Sequence, residues 1–127
     1  MSSLALITCA SLIAVDGDTV RCDGELVRPM GNGAPFVSGF DTPELMGPKD
    51  CDEELPLARA AKARMQELLN TPGLTIEDSG DRDKTQTRRR LVVLRLPDGQ
   101  TIGQQLIDES HARVWTPDYK ADWCPRG

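Results

Sequence analysis

Residues 4–22, LALITCASLIAVDGDTVRC, are the stretch on which the fold turns. Leu4 to Val15 is rich in Leu, Ile and Ala and ends at Asp16-Gly17-Asp18, a strong turn signal. Thr19-Val20-Arg21-Cys22 then alternates polar and apolar, as the return arm of a hairpin does. Asp23-Gly24 marks a second turn, and Glu25 to Met30 reads as a third short strand. Short strands joined by tight turns predict an antiparallel sheet.

Further along, the period changes. Gly31-Asn32-Gly33-Ala34-Pro35 is a loop by composition, Phe36 to Phe40 is a brief apolar stretch, and Asp41 to Asp50 is a second loop. From about Glu54 to Leu69, Leu57, Ala61, Met65 and Leu68 recur at helical spacing, which predicts one apolar stripe. Pro56 suits the first turn of that helix, and Asn70-Thr71-Pro72-Gly73 stops it. Leu74 to Glu77 reads as a strand and Asp78 to Thr87 as a charged loop. Leu91 to Leu96 is the strongest strand and closes on Pro97-Asp98-Gly99. Ile102 to His111 is a second helical pattern, and Ala112 to Trp115 a last strand. This order predicts an α+β fold, mainly β, around a small antiparallel sheet.

The 127 residues suit a single domain, 1–127. Lys plus Arg number 15 and Asp plus Glu 20, so the net charge is −5. That excludes a strongly basic protein that coats nucleic acid, but not a local basic patch. No apolar run approaches the roughly 18 residues that cross a bilayer. The chain is read as a monomer with no membrane partner. No Lys or Arg precedes the apolar start, and that start runs into a strand, so it reads as mature structure rather than a signal peptide.

Cys9, Cys22, Cys51 and Cys124 form no CxxC pair, which argues against a zinc ribbon. Two disulfides would suit an exported protein and four thiols a reducing compartment, so the compartment stays open. A Cys51–Cys124 bridge would pin the segment after Trp115. A Cys9–Cys22 bridge needs a sharp bend, because a regular hairpin sets Cys22 opposite Ile13.

Three acids stand at turns after strands: Asp18, Asp41 and Glu44. Carboxylates at strand ends converge on one rim of a small barrel, where oxygen donors suit a hard cation. Ordinary turn chemistry would also place aspartates there. Arg88-Arg89-Arg90, preceded by Arg82 and Lys84, enters the strongest strand. Alternation sets Arg89 on the side of Leu91 and Val93, and Arg90 on that of Val92 and Leu94. Such a run blunts a sheet edge or grips phosphate through guanidinium pairs. His111 reads as a solvated or capping residue, and Trp115 and Trp123 as packing anchors; Tyr119 is the only tyrosine.

Val15-Asp16-Gly17-Asp18-Thr19-Val20 followed by Asp41-Thr42-Pro43-Glu44-Leu45 resembles the two signature blocks of the staphylococcal nuclease family. A proline-led helix, Arg89-Arg90-Leu91-Val92-Val93, Asp98-Gly99 and Ala112-Arg113-Val114-Trp115 follow in the family's order. The resemblance covers roughly Ile7 to Trp115. It implies an OB-type five-stranded β-barrel with two to three packed helices. It further implies calcium-dependent phosphodiester hydrolysis of DNA or RNA without base specificity. Asp18, Asp41 and the Thr42 carbonyl would be the Ca²⁺ ligands and Glu44 the general base. Arg28 and Arg89 would clamp the phosphate, with Lys84, Arg88 and Arg90 bordering the substrate. Clustered acids repel without a cation, so losing Asp18 or Asp41 is expected to leave the metal-free fold no less stable.

Three departures from the family stand out. At the spacing before Asp41 where the family has an arginine, this sequence has Phe36. Arg28 serves instead if Gly31 to Gly39 is an insertion. Gln86-Thr87-Arg88 replaces the aromatic and glycine ahead of the family's second arginine, leaving Arg88 and Arg90 as rival counterparts. Thr116 to Gly127 stands where the family has a long final helix. The rival function is a catalytically weak or inactive OB module that binds nucleic acid or protein.

Overall fold

The computed structural model describes residues 5–124; Leu4, at the start of the expected first strand, and residues 125–127 lie outside the described residues. The elements are β1 (Ala5–Ile7), β2 (Leu12–Ala14), β3 (Val20–Cys22), β4 (Glu25–Pro29), β5 (Gly39–Asp41), α1 (Glu54–Leu69), β6 (Thr75–Arg82), β7 (Arg90–Arg95), α2 (Ile102–Asp108) and β8 (Arg113–Trp115). One sheet runs β1-β6-β7-β4-β3-β2, and β5 pairs with β8 in a second. Every pairing is antiparallel except β4 with β7.

The architecture is α+β, mainly β, but the main sheet is a curled six-stranded half-barrel rather than a closed five-stranded barrel. The expected opening strand is in fact two strands. The Asp23 carboxylate accepts the N–H of Ala10 at 3.2 Å and of Ser11 at 2.7 Å, and the Asp23 N–H donates to the Ser11 carbonyl at 3.0 Å. That local bonding breaks the ladder, so β1 joins β6 at one edge while β2 joins β3 at the other. The same bend brings Cys9 to Cys22 in a disulfide with a Cα separation of 5.3 Å, and Cys22 lies opposite Leu12, not Ile13. Cys51 and Cys124 form the second bridge, Cα to Cα 5.9 Å. β6 also runs through what reads as loop, to Arg82, with a register shift after Asp78 that leaves Gly80 at φ +85°.

α1 keeps its expected bounds, but its buried face is carried by Ala58, Ala61, Met65, Leu68 and Leu69, and Leu57 is 41% exposed. The face is set by close approach. A Cβ on Gly17 would lie 2.8 Å from that of Ala61 and 2.5 Å from the Thr42 hydroxyl oxygen, so small residues line this contact. Gln66 accepts the Ala14 N–H at 2.8 Å and donates to the Leu12 carbonyl at 3.1 Å, which covers the β2 edge with helix. α2 is capped by Thr101, whose hydroxyl oxygen accepts the Gln104 N–H. Val20, Val27, Val92 and Leu94 from the sheet meet Phe40, Met65, Ile102 and Leu106 in the core. Among the described residues no helix is long and apolar enough to cross a membrane.

Candidate active site

One cavity of about 600 Å³ opens where the β2–β3 turn, β4, the end of β5 and the β6–β7 loop meet. Asp18, Arg28, Asp41, Glu44, Lys84 and Arg89 all line it. Parallel pairing of β4 with β7 is the device that gathers the arginines. Arg28 sits opposite Leu91, and Arg89 lies two residues before Leu91, hence on the same side. Phe36 stands at the cavity too, at φ +64°, with the Lys84 ammonium 4.7 Å from its ring centroid.

Asp18 is the most enclosed acid. Its Oδ2 accepts from the Arg28 guanidinium at 2.8 Å and from the Thr42 N–H at 3.1 Å. Burial alone would raise its carboxyl, but Arg28 and the hydrogen bonds from Asp16, Arg28 and Thr42 hold it below the ordinary value. Arg28 also donates to the carbonyls of Asp18 and Phe40, tying the β2–β3 turn to β5. Asp41 Oδ2 accepts from the Tyr119 hydroxyl at 3.0 Å and from the Trp123 indole N–H at 3.2 Å. Burial and then the Asp18 charge push the Asp41 carboxyl up. Glu44 sits exposed at the rim. Partial loss of water raises its carboxyl, and the Asp18 and Asp41 charges raise it further.

Arg89 is held by Asp83 at 2.6 Å and by the Thr19 hydroxyl at 2.7 Å. The neighbouring arginines do not join it. Arg90 turns to Asp78 and Glu25 at 3.0 and 3.2 Å, and Arg88 is exposed at φ +48°; neither lines the cavity. Thr42 is buried, and its hydroxyl oxygen has no hydrogen-bond partner among the described residues.

Asp16 is a site residue that the sequence reading treats only as part of a turn. It lines the cavity, its Oδ1 accepts the Asp18 N–H at 3.0 Å, and burial followed by the Asp18 charge pushes its carboxyl up to about 7. Its place in the Asp16-Gly17-Asp18 block was the available signal. Asp83, Tyr119 and Trp123 are further site residues: Asp83 lies in the stretch that composition marks as a charged loop, and Tyr119 and Trp123 reach Asp41 across 78 and 82 positions.

Asp16, Asp18, Asp41 and Glu44 line one cavity, three of them with raised carboxyls, and offer oxygen donors of the kind a hard divalent cation takes, but no three of these acids stand at mutual ligating spacing. Among the described residues the one group of three or more His, Cys, Asp or Glu at ligating spacing is Cys51, Glu54 and Cys124, and it offers no thiolate, since both sulfurs are joined. No family model matches the chain, and no curated protein matches it.

Proposed function

We propose that this chain is a metal-dependent phosphodiesterase that cleaves DNA or RNA without base specificity, as the resemblance to the staphylococcal nuclease family implies, on an OB-type barrel opened along one side. The observation that carries the reading is the convergence of Arg28 and Arg89 on one cavity with Asp18, Asp41 and Glu44. Asp18, Asp41 and the Thr42 carbonyl are the residues that would hold Ca²⁺. When bound, the cation neutralises phosphate oxygens and lowers the pKa of nearby water. Glu44 takes the proton of the attacking water, a role that its raised carboxyl favours. Arg28 and Arg89 donate to the non-bridging oxygens, where charge grows in the transition state. Each must first loosen its aspartate, Asp18 or Asp83. Lys84 adds positive charge beside them.

Incubating the protein with a labelled oligonucleotide and Ca²⁺ tests this. Cleavage that a chelator abolishes is the expected result. Binding without cleavage would favour the second reading, a weak or inactive OB module for nucleic acid or protein. That reading draws support from the aspartates already paired to both guanidiniums and from the net charge of −5.

A further inference from the structure

The segment after β8 folds back across the acidic wall. It leaves the β5–β8 ladder, in which Arg113 lies opposite Asp41, and turns at Thr116, whose carbonyl accepts the Tyr119 N–H at 2.9 Å. Its Tyr119 hydroxyl and Trp123 indole N–H both end on one oxygen, Oδ2 of Asp41. Trp123 is 9% exposed and stacks under the Arg113 guanidinium, 4.0 Å from the ring centroid, while Arg113 also donates to the Asp122 carbonyl. Directly after Trp123 comes Cys124, bridged to Cys51 just ahead of α1. The Glu54 Oε1 lies 3.4 Å from the Cys124 sulfur and accepts the Asp50 N–H at 3.3 Å.

We propose that residues 116–124 form a covalently pinned strap in which Tyr119 and Trp123 are positioning residues that orient the Asp41 carboxylate, so that the Cys51–Cys124 bridge governs how well the acidic wall holds a cation. The inference rests on the proposed function for its consequence, but not for its geometry. Two donors converging on Oδ2 hold that oxygen in place, and Oδ1 has no hydrogen-bond donor among the described residues. Neutral donors do this without cancelling the charge a cation needs, unlike the Arg28 partner of Asp18. Outer partners of a ligating carboxylate typically change metal affinity about 10- to 100-fold when removed.

The test measures Ca²⁺ affinity by calorimetry in the parent, Tyr119→Phe, Trp123→Phe, the Cys51→Ala/Cys124→Ala double variant and a Cys9→Ala/Cys22→Ala control. It also follows the Trp123 indole N–H proton by NMR in the parent and in Asp41→Asn. Expected are about 10-fold weaker Ca²⁺ binding in the first three variants and parental affinity in the control. The indole proton should exchange slowly in the parent and shift in Asp41→Asn. Tyr119→Phe removes a single oxygen, so it answers even where the double variant fails to fold. Parental affinity in Tyr119→Phe and Trp123→Phe overturns the proposal, as does an indole proton indifferent to Asp41. If the parent neither binds Ca²⁺ nor cleaves, the proposed function falls. The indole proton then decides the strap alone: a shift in Asp41→Asn sustains it, and no shift ends it.

Discussion

Arg28 and Asp18 face each other at 2.8 Å with side chains only 16% and 9% exposed, so the phosphate clamp and the cation ligand of the proposed site neutralise one another. That pairing reverses the sign expected for Asp18. Repulsion among the acids is real, but Asp18→Ala would strand the Arg28 guanidinium in a buried place. Removing one partner of a buried pair costs about 3–5 kcal/mol. Asp18→Ala is therefore expected to be markedly less stable without metal, as chemical denaturation will report, while Asp18→Ala/Arg28→Leu recovers much of the loss.

Glu44→Gln should keep the fold and the cation affinity, because the side chain is exposed at the rim and nearly isosteric with its replacement. Turnover of a labelled oligonucleotide should fall by about 10² to 10⁴, the usual worth of a general base. Equal turnover would remove Glu44 from the chemistry.

The three consecutive arginines should separate cleanly. Arg89→Ala is expected to lower turnover about 10²- to 10³-fold, since the proposed mechanism has Arg89 donate to the charge that develops on phosphate. Arg88→Ala and Arg90→Ala should stay within a few-fold of the parent, one being exposed and the other bound to Asp78 and Glu25. A loss in Arg90→Ala as deep as that in Arg89→Ala would contradict the assignment.

Arg64 joins α1 to α2 by two hydrogen bonds of 2.8 Å to Glu109, and this guanidinium holds the Glu109 carboxyl down at about 2, from an ordinary 4.5. A carboxyl depressed in the folded state stabilises above its unfolded pKa, and that contribution is lost as pH falls from about 4.5 to about 2. The pair stands partly in water, so its worth is under about 1 kcal/mol. Glu109→Gln should unfold at lower temperature than the parent at pH 7, and the difference should vanish near pH 2. A difference independent of pH would exclude the ionised pair as its source.

Blocking thiols under denaturing, non-reducing conditions should label none of the four cysteines. The bridges span 13 and 73 positions, which on chain-entropy grounds gives about 3 and about 4 kcal/mol of stability respectively. Loss of the Cys51–Cys124 bridge should therefore lower stability the more.

Local signals were read well, and tertiary ones were not. Pro56 and Asn70-Thr71-Pro72-Gly73 delimit α1 at its observed ends because caps and breakers act within a few residues. Three of the four stripe residues, Ala61, Met65 and Leu68, are buried, and Leu57 in the first turn is the exception. The break at Ala10 and Ser11 depends on Asp23, and the extension of β6 to Arg82 on Arg90. Of the site, Asp18, Arg28, Asp41, Glu44, Lys84 and Arg89 were legible as spaced blocks. Asp83, whose carboxylate occupies Arg89, lay in a segment that composition marks as a plain loop. Trp123 is buried as a packing anchor should be, but its indole N–H on Asp41 depends on a fold-back that no local pattern announces.

The reach of these contacts along the chain also sets a timetable. Arg89 meets Thr19 across 70 positions, and Trp123 meets Asp41 across 82. During synthesis the chain lengthens at about 5–20 residues per second. Asp18, Asp41 and Glu44 thus leave the ribosome seconds ahead of Arg89, and Arg89 ahead of the strap. Until then a nascent chain carries acids with no second arginine beside them and nothing on Asp41. If the site cuts nucleic acid, the ribosome that makes it meets no second phosphate clamp until Arg89 has emerged and folded onto Thr19.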